Sequence, residues 1–494
     1  MIDAGPQHHE LSPRSSPPPP SRSAPESTVA SAGDRDLPER SCDVLIVGGG
    51  PSGLLLAALL AQRGVDVKVL ERRRAPSAHS RAIGLHPPAV NALGALGLDG
   101  TAVAEGAPIA GGQARGRGRL LGSLTFERAW PQRPYVLALP QSRTETLLAE
   151  RLAVLAPTAL HRGVEVTELD TEGGDISVTT RDAGEDARDP SGGGRGPSSG
   201  GTGPPGGGTG PSSGGPARWR ARLVVGADGS RSMIRDLAGI GTTLTTYPDT
   251  YLMGDFADTG PGAGSCRGPD ADTASGRQAR IHLEPGGVVE AFPLPGCMRR
   301  WVAHTGTVRG EPARFEPGRG ESARFEGGPL ARFAVGPPAH TPADLAAIVR
   351  RRTGERIDPD TNTMISSFGV RRRTAERMVD GRVVLIGDAA HEVSPIGGQG
   401  MTLGWQDALA LAPLLEDAVR QDLRCPLHQL PRFRGFERDR LRIARGAGRL
   451  AHVNMALGRP LPLPVALLRD TALQAVLATP VRHHLAGAYS MAWV

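Results

Sequence analysis

The chain has almost no lysine: Lys68 is the only one among 57 basic residues, so the formal net charge of +6 rests on arginine. Those arginines are interspersed with acids, as between Arg434 and Arg449, which describes a solvated face and not a stripe tracking phosphates. No nucleic-acid partner is expected. Cysteine is scarce too, and Cys42, Cys266, Cys297 and Cys425 are widely spaced, with no C-x-x-C pair. That excludes a disulfide framework, leaves no metal site to expect, and fits a reducing cytoplasm as the location. Long apolar runs are also missing. The best, Leu54 to Ala61, is ended by Gln62 and Arg63, short of the ~18 residues of a membrane helix. A soluble protein is expected, with room for two or three domains at roughly 150 residues each. Residues 1–40 are rich in Pro, Ser and charge, lack the apolar core of a secretory signal, and read as a disordered leader.

Against these absences stands one well-formed unit, Asp43 to Glu71. Val44 to Val47 is an apolar run suited to a buried parallel strand, and Gly48, Gly50 and Gly53 give G-x-G-x-x-G in the turn that follows. The first glycine permits the tight turn, the second lets backbone amides approach a pyrophosphate, and the third lets helix and strand pack closely. Leu54 to Ala61 continues as a helix, Gly64 can end it, and Val65 to Leu70 reads as the next strand, closing on Glu71. A carboxylate about 20 residues beyond the glycines suits a ribose 2′-hydroxyl. The unit predicts dinucleotide binding without choosing between FAD and NAD.

Further along, a polar loop carries Arg81, a candidate cofactor contact beyond a strand end, into a helix from about Pro88 to Leu96. Residues 119–126 and 135–139 read as strands, and Pro140-Gln141-Ser142 opens a helix. Alternation between Gly163 and Thr180 predicts a hairpin around Gly173-Gly174. Residues 183–217, with Gly-Pro-Ser-Ser-Gly-Gly at 196 and again at 210, cannot repay their ordering entropy and read as a flexible insertion. Trp219 to Val225 resumes as a strand and runs into Asp228-Gly229, which places a carboxylate beside the ligand edge of the sheet. Residues 247–308 alternate in strand fashion, the Ala-Arg-Phe-Glu repeats at 313 and 323 read as an exposed loop, Thr341 to Thr353 is a capped helix, and Ser366 to Arg373 returns as a strand.

A second strand-loop-helix follows. Val383 to Ile386 leads into Gly387-Asp388 and then Pro395-Ile-Gly397-Gly398-Gln-Gly400-Met401-Thr402, with a helix from Thr402 to about Val419. Glycines ahead of a helix present amides at the positive end of its dipole, where an electron-rich acceptor or an anion binds. Asp388 is then free for hydroxyls. His391 lies within the motif and reads as a structural hydrogen-bonding residue; no general base is assigned.

In three ordered motifs over about residues 42–420, the chain resembles the class A flavoprotein monooxygenases, the family of para-hydroxybenzoate, phenol and polyketide hydroxylases. The resemblance implies FAD, with Gly48, Gly50 and Gly53 at the pyrophosphate, Glu71 at the adenosine ribose, and Asp388 at the pyrophosphate–ribitol side. It also implies Arg81 and Gln141 as further flavin contacts, and Asp228 in a double role toward FAD and NAD(P)H. Pro395, Gly397 and Gly398 then form the flavin-ring loop, with Gly400, Met401 and Thr402 beside the ring. Thr402 departs from the asparagine usual in the family.

The implied fold is α/β: a Rossmann-like FAD/NAD(P)-binding domain with an inserted, mostly antiparallel substrate sheet and a helical C-terminal region. The expected parts are a leader over 1–40, FAD-binding segments at 41–110, 136–246 and 371–420, substrate-domain segments at 111–135 and 247–370, and C-terminal helices at 421–494. The implied reaction is hydroxylation of an aromatic, phenolic or polyketide-like substrate by NAD(P)H and O₂ through a flavin C4a-hydroperoxide. A flavin-dependent halogenase needs an active-site lysine and a Trp-x-Trp-x-Ile-Pro motif, which this chain lacks. A reductase or oxygenase of polyprenyl or quinone lipids stays open, because the apolar stretch Leu450 to Val494 offers cover for a long substrate, peripheral contact with lipid, or another subunit.

Overall fold

The computed structural model describes residues 37–76, 82–184, 216–258, 277–307, 340–422 and 425–494. Arg81, most of the expected leader and insertion, and the Ala-Arg-Phe-Glu repeats lie outside the described residues.

The fold is mixed α/β. Strand Glu39–Val47 lies inside the first sheet and pairs in parallel with Ala217–Gly226 on one side and Val67–Glu71 on the other. Leu160–Arg162 extends the sheet beyond Val67–Glu71, while Val383–Leu385 and Val379–Asp380 extend it beyond Ala217–Gly226. Val44, Leu45 and Ile46 are fully buried, as a parallel strand covered on both faces requires. The strand begins at Glu39, ahead of the apolar run, because its first residues pair with Arg218 to Ala221. Helix Pro51–Gln62 buries Gly53 to Leu60 without interruption. The expected hairpin is present as Val164–Asp170 and Ile176–Asp182, and it joins the first half of Ala217–Gly226 in antiparallel register.

Among the described residues the second sheet has eight strands, in the order His391–Glu392, Met364–Ala375, Thr242–Ala257, Met298–Thr307, Val289–Leu294, Gln278–His282, Gly111–Gly116, Arg119–Thr125. All pairs are antiparallel except Gln278–His282 with Gly111–Gly116. Strands Thr242–Ala257 and Met364–Ala375 run past residues 247 and 370 because they continue, paired, toward the first sheet. Side-chain alternation divides the sheet's faces. Leu252, Val289, Ala291, Trp301 and Ala303 pack on Leu345 and Val349 of helix Pro342–Thr353. Tyr251, Met253, Val302 and Val370 face the other way, toward Ile396 and Met455. Helix Pro342–Thr353 has a complete capping box between Thr341 and Asp344 and ends at Gly354 in the left-handed region.

Helices Pro431–Gly458, Leu463–Ala478 and Val481–Tyr489 form the C-terminal region. Among the described residues no helix is long and apolar enough to cross a membrane.

Two contacts lock the second strand-loop-helix onto the rest. The first is a fully buried carboxylate, Asp407, on helix Gly400–Arg420. Its Oδ2 accepts the Gly387 amide at 2.9 Å and lies 2.7 Å from His391 Nε2, while Oδ1 accepts Arg440 Nε at 2.7 Å. Burial opposes its charge, but His391 and Arg440 overcome that and hold its pKa down to about 2. His391 moves up in turn: burial disfavours its cation, and Asp407 more than compensates. The second contact is a close approach: a Cβ on Gly404 would lie 2.3 Å from Ser52 Oγ and 3.1 Å from Gly387 Cα.

Asp407→Asn leaves Arg440 and His391 without their anion and is expected to cost ~3–5 kcal/mol at neutral pH, measured by denaturant unfolding. The folded pKa lies below the ordinary value, so this stabilisation is present above the ordinary carboxylate range and is lost as pH falls through about 2. The variant's acid limb is therefore expected to be flatter there. Gly404→Val is expected to lower stability by ~1–3 kcal/mol in thermal unfolding, because the added carbons wedge the helix away from Gly387.

Candidate active site

The site is built at the end of the first sheet where Glu39–Val47 gives way to the glycine turn. Gly48 has φ +109°, and a Cβ there would stand 2.3 Å from the Ala227 carbonyl oxygen. A Cβ on Gly53 would stand 2.0 Å from the Gly48 carbonyl oxygen, whereas around Gly50 there is open space. The glycines therefore divide by task, two for close packing and one facing a vacant approach. Gly50 caps helix Pro51–Gln62 with no side-chain hydrogen bond, and the first turn carries no acid. The amides at this helix start are thus available to an anion.

Glu71 closes the turn from below. Its Oε2 accepts the Gly49 amide at 2.7 Å, and its Oε1 accepts the Arg73 amide and Nε at 2.8 and 3.0 Å. Burial alone would raise its pKa, but Arg73 and the Gly49 amide hold it below the usual carboxylate range. Gln141 starts helix Gln141–Leu155, with its amide on the Ala82 carbonyl at 3.2 Å and its side chain on Glu145 at 2.9 Å. Glu145 feels the charges of Arg73 and Glu71, so Gln141 belongs to the same end of the sheet.

The second motif meets the first at Ser52, whose Oγ is 2.9 Å from where a Gly387 Cβ would sit. Asp388 follows on the turn Gly387–Ala389, open to solvent but hemmed in by protein. Burial, then Glu392, against the opposing pull of His391, pushes its carboxyl up to about 6. It has no hydrogen-bonding partner among the described residues.

Pro395 is exposed, the Gly398 amide donates to its carbonyl at 2.9 Å, and Gly397 and Gly398 turn the chain with φ +102° and +66°. Helix Gly400–Arg420 begins two residues before the expected Thr402, so Gly400, Met401 and Thr402 form its first turn. Its N-terminus likewise has no side-chain cap and no acid in the first turn. Thr402 is fully buried, with Oγ1 3.2 Å from His86 Nδ1. Burial lowers the His86 pKa to about 4 and keeps the ring neutral at physiological pH.

The Asp-Gly segment is placed differently from the expectation that its carboxylate faces a ligand. Asp228 Oδ1 accepts Ser232 Oγ at 2.5 Å, and Oδ2 accepts the amides of Met233 and Ile234 at 2.6 and 3.2 Å. These bonds tie down the start of helix Met233–Leu237, since the donors lie only a few residues ahead of the carboxylate. The backbone of Ala227 and Asp228 instead forms the wall against which Gly48 packs. Arg235, buried, joins this wall to the Asp388 turn through Nη1 to the Ala389 carbonyl at 3.3 Å.

Ser52, His86, Arg235, Asp407 and Arg440 were not singled out from the sequence. Asp407 alone left a signal there, an acid within the apolar stripe of its helix. His391 holds the structural role expected of it, against Asp407. Two uncapped helix starts, an unpartnered Asp388 carboxyl and the packed glycines between them make a donor set that fits one extended dinucleotide. Diphosphate suits the first helix start, hydroxyls suit Asp388, and an electron-rich ring edge suits the second helix start.

Comparison with known proteins points to the same class of cofactor. The family model described as FAD binding domain matches residues 41–189 and 323–424. A 6-methylpretetramide 4-monooxygenase of Streptomyces rimosus is 32% identical over 77% of this chain, and a rifampicin monooxygenase of Streptomyces venezuelae is 31% identical over 75%. The chain spans 57% and 63% of the length of these two relatives. Among solved structures, an anhydrotetracycline hydroxylase from Streptomyces rimosus superposes with a TM-score of 0.63 at 26% identity, covering 91% of this chain and 76% of that one. A p-nitrophenol 4-monooxygenase from Pseudomonas putida shares the fold, with a TM-score of 0.68 at 20% identity over 90% of this chain and 97% of that one. The chain belongs to the FAD binding domain family, the flavoprotein family of the class A monooxygenases.

Proposed function

We propose that the protein is an FAD-dependent monooxygenase that uses NAD(P)H and O₂ to hydroxylate an aromatic substrate of phenolic or polyketide-like type. The observation that carries this reading is the meeting of the two strand-loop-helix motifs at Ser52, Gly387 and Gly404, which gives one extended cofactor two helix starts and a carboxylate on a single surface. Relatives named as monooxygenases of 6-methylpretetramide and anhydrotetracycline support an aromatic substrate. The reaction balances as substrate C–H plus O₂, NAD(P)H and a proton, giving C–OH, water and NAD(P)⁺.

FAD, when bound, would supply the two-electron redox chemistry that links NAD(P)H to O₂. The chain's own residues bind, orient and exclude water. Amides of the Gly48 to Gly53 turn hold the pyrophosphate, Glu71 accepts from the ribose, and Asp388 accepts from a hydroxyl on the ribitol side. Gln141 adds a flavin contact; Arg81, which the resemblance implies as another, lies outside the described residues. Asp228 serves the site through its backbone, because its carboxylate is engaged by Ser232, Met233 and Ile234.

Pro395, Gly397 and Gly398 would border the ring, and the amides of Gly400, Met401 and Thr402 would receive its electron-rich edge, because the helix dipole there favours negative charge. The Thr402 hydroxyl is turned to neutral His86, so the backbone amide is what this residue offers the ring. The second sheet, drawn mainly from 111–135 and 247–370, is the substrate domain. Its face bearing Tyr251, Met253 and Val302 keeps water from the reacting centre.

The purified protein is expected to be yellow and to oxidise NADH or NADPH faster when a suitable phenol is added, with hydroxylated product seen by mass spectrometry. A colourless protein that takes up no FAD would overturn the reading, as would a reducible flavin giving no hydroxylated product from any aromatic compound tried. Asp388→Ala is expected to weaken FAD binding ~10–100-fold by equilibrium titration, the loss of one charged hydrogen bond. The raised carboxyl is ionised only above about 6, so wild-type FAD affinity is expected to fall as pH drops through that value, and the variant's is not.

A further inference from the structure

The strand Val289–Leu294 alternates Val289 and Ala291 toward helix Pro342–Thr353, which places Glu290 and Phe292 on the opposite face. Register across the sheet fixes the neighbours of Glu290. Ile281 is opposite on one side and Val302 on the other; beyond them lie Ala114 and Met253. All four belong to the apolar cluster that includes Ile396, of the loop between Pro395 and Gly400, and Met455, of helix Pro431–Gly458. A carboxyl thus interrupts an otherwise apolar row on the face turned toward the ring loop.

The link to that loop runs through two further residues. A Cβ on Gly397 would be 3.6 Å from Asn454 Nδ2, and Tyr489 donates its hydroxyl to Asn454 Oδ1 at 2.7 Å. Tyr489 in turn feels the charge of Glu290. Glu290 and the ring loop therefore border the same space. Glu290 keeps accessible surface, yet it has no hydrogen-bond or ion-pair partner among the described residues.

We propose that Glu290 is the residue that accepts the hydroxyl proton of the phenolic substrate, which lies between this face of the second sheet and the loop of Pro395 to Gly400. The inference rests on the monooxygenase reading above. The substrate O–H bond breaks, its proton passes to a Glu290 carboxylate oxygen, and the electron pair left on the phenolate oxygen enriches the ring carbons ortho and para to it. That carbon takes its oxygen atom from O₂, with the electrons of NAD(P)H, and the ring loses its C–H proton as aromaticity returns. An apolar setting suits the task. Burial alone pushes the Glu290 carboxyl up to about 7, close to the operating pH of a general base.

The titratable and charged groups around it are otherwise engaged or neutral. Tyr251 and Tyr489 are phenols raised chiefly by burial. One register step away on the Met298–Thr307 strand, Arg300 is paired with Asp255. On the other side His304 contacts Asp249, which also holds Arg459. Helix Pro431–Gly458 contributes Met455 to this cluster, and its His452 lies against the ring of Tyr247, another member.

The test compares wild type, Glu290→Gln and Glu290→Asp as flavin-loaded proteins, with 2-naphthol as the probe and the perturbation of flavin absorbance as the binding signal. For wild type, 2-naphthol affinity is expected to rise ~10-fold as pH increases through about 7, because the ionised carboxylate accepts from the naphthol hydroxyl. Glu290→Gln is expected to lose this pH dependence and ~10²–10⁴-fold of hydroxylation rate, with Glu290→Asp recovering part of both. FAD content and the rate of flavin reduction by NAD(P)H without 2-naphthol, neither of which involves the phenol, are expected to be unchanged in both variants. Binding of 2-naphthol to Glu290→Gln with wild-type affinity and wild-type pH dependence would sink the assignment, and so would a flavin-loaded wild type that does not bind it. A wild type with no flavin sinks the monooxygenase reading instead.

Discussion

The arrangement of the site depends on one buried carboxylate. Asp407 is fully enclosed and serves three partners at once, the Gly387 amide, His391 and Arg440. Withdrawing a carboxylate from water is expensive, and only such a set of charged and amide donors offsets it. Each donor comes from a different element: the turn Gly387–Ala389, the short strand His391–Glu392 and the C-terminal helix Pro431–Gly458. Satisfying Asp407 therefore holds in one place the strand that delivers Asp388, the loop that carries Gly397 and the helix start at Gly400.

With that junction in place, the two halves of the site come together through small residues. Gly404, Gly387 and Ser52 leave no room for a side chain between the second motif and the first helix. That close approach brings near one another two helix starts without side-chain caps or first-turn acids. An acid in either first turn would compete with an incoming phosphate or a reduced ring for the same amides. Their absence gives both helix starts the same preference for negative charge.

The second sheet applies a different constraint. One face is sealed by helix Pro342–Thr353 over an apolar core of Leu252, Val289, Ala291, Trp301 and Ala303, and charged side chains it carries, Arg280 and His282, are paired with Glu355. The other is apolar too, apart from Glu290 and the paired charges at its margins. A single unpaired carboxyl in such a row weakens the fold, since burial disfavours its ionised form. Its position opposite the ring loop gives that cost a chemical use.

What the amino-acid sequence determined by itself was local. The Gly48 to Glu71 unit, the Val383 strand with its glycine loop, and the capped helix after Thr341 are all legible, because each depends on periodicity and on residues within a turn or two of one another. Tertiary structure decided the rest. The Asp228 carboxylate looks like a ligand group in the sequence, yet the folded turn directs it at Ser232 and two amides. Thr402 reads as a departure in a cofactor loop, but packing turns its hydroxyl to His86, far away in the chain. Arg440 carries no mark that sets it apart from the other arginines until it meets Asp407. Glu290 is one acid among many until strand register sets it in an apolar row, because which side chains share a face across several strands is fixed by pairing between distant segments, not by any pattern within one of them.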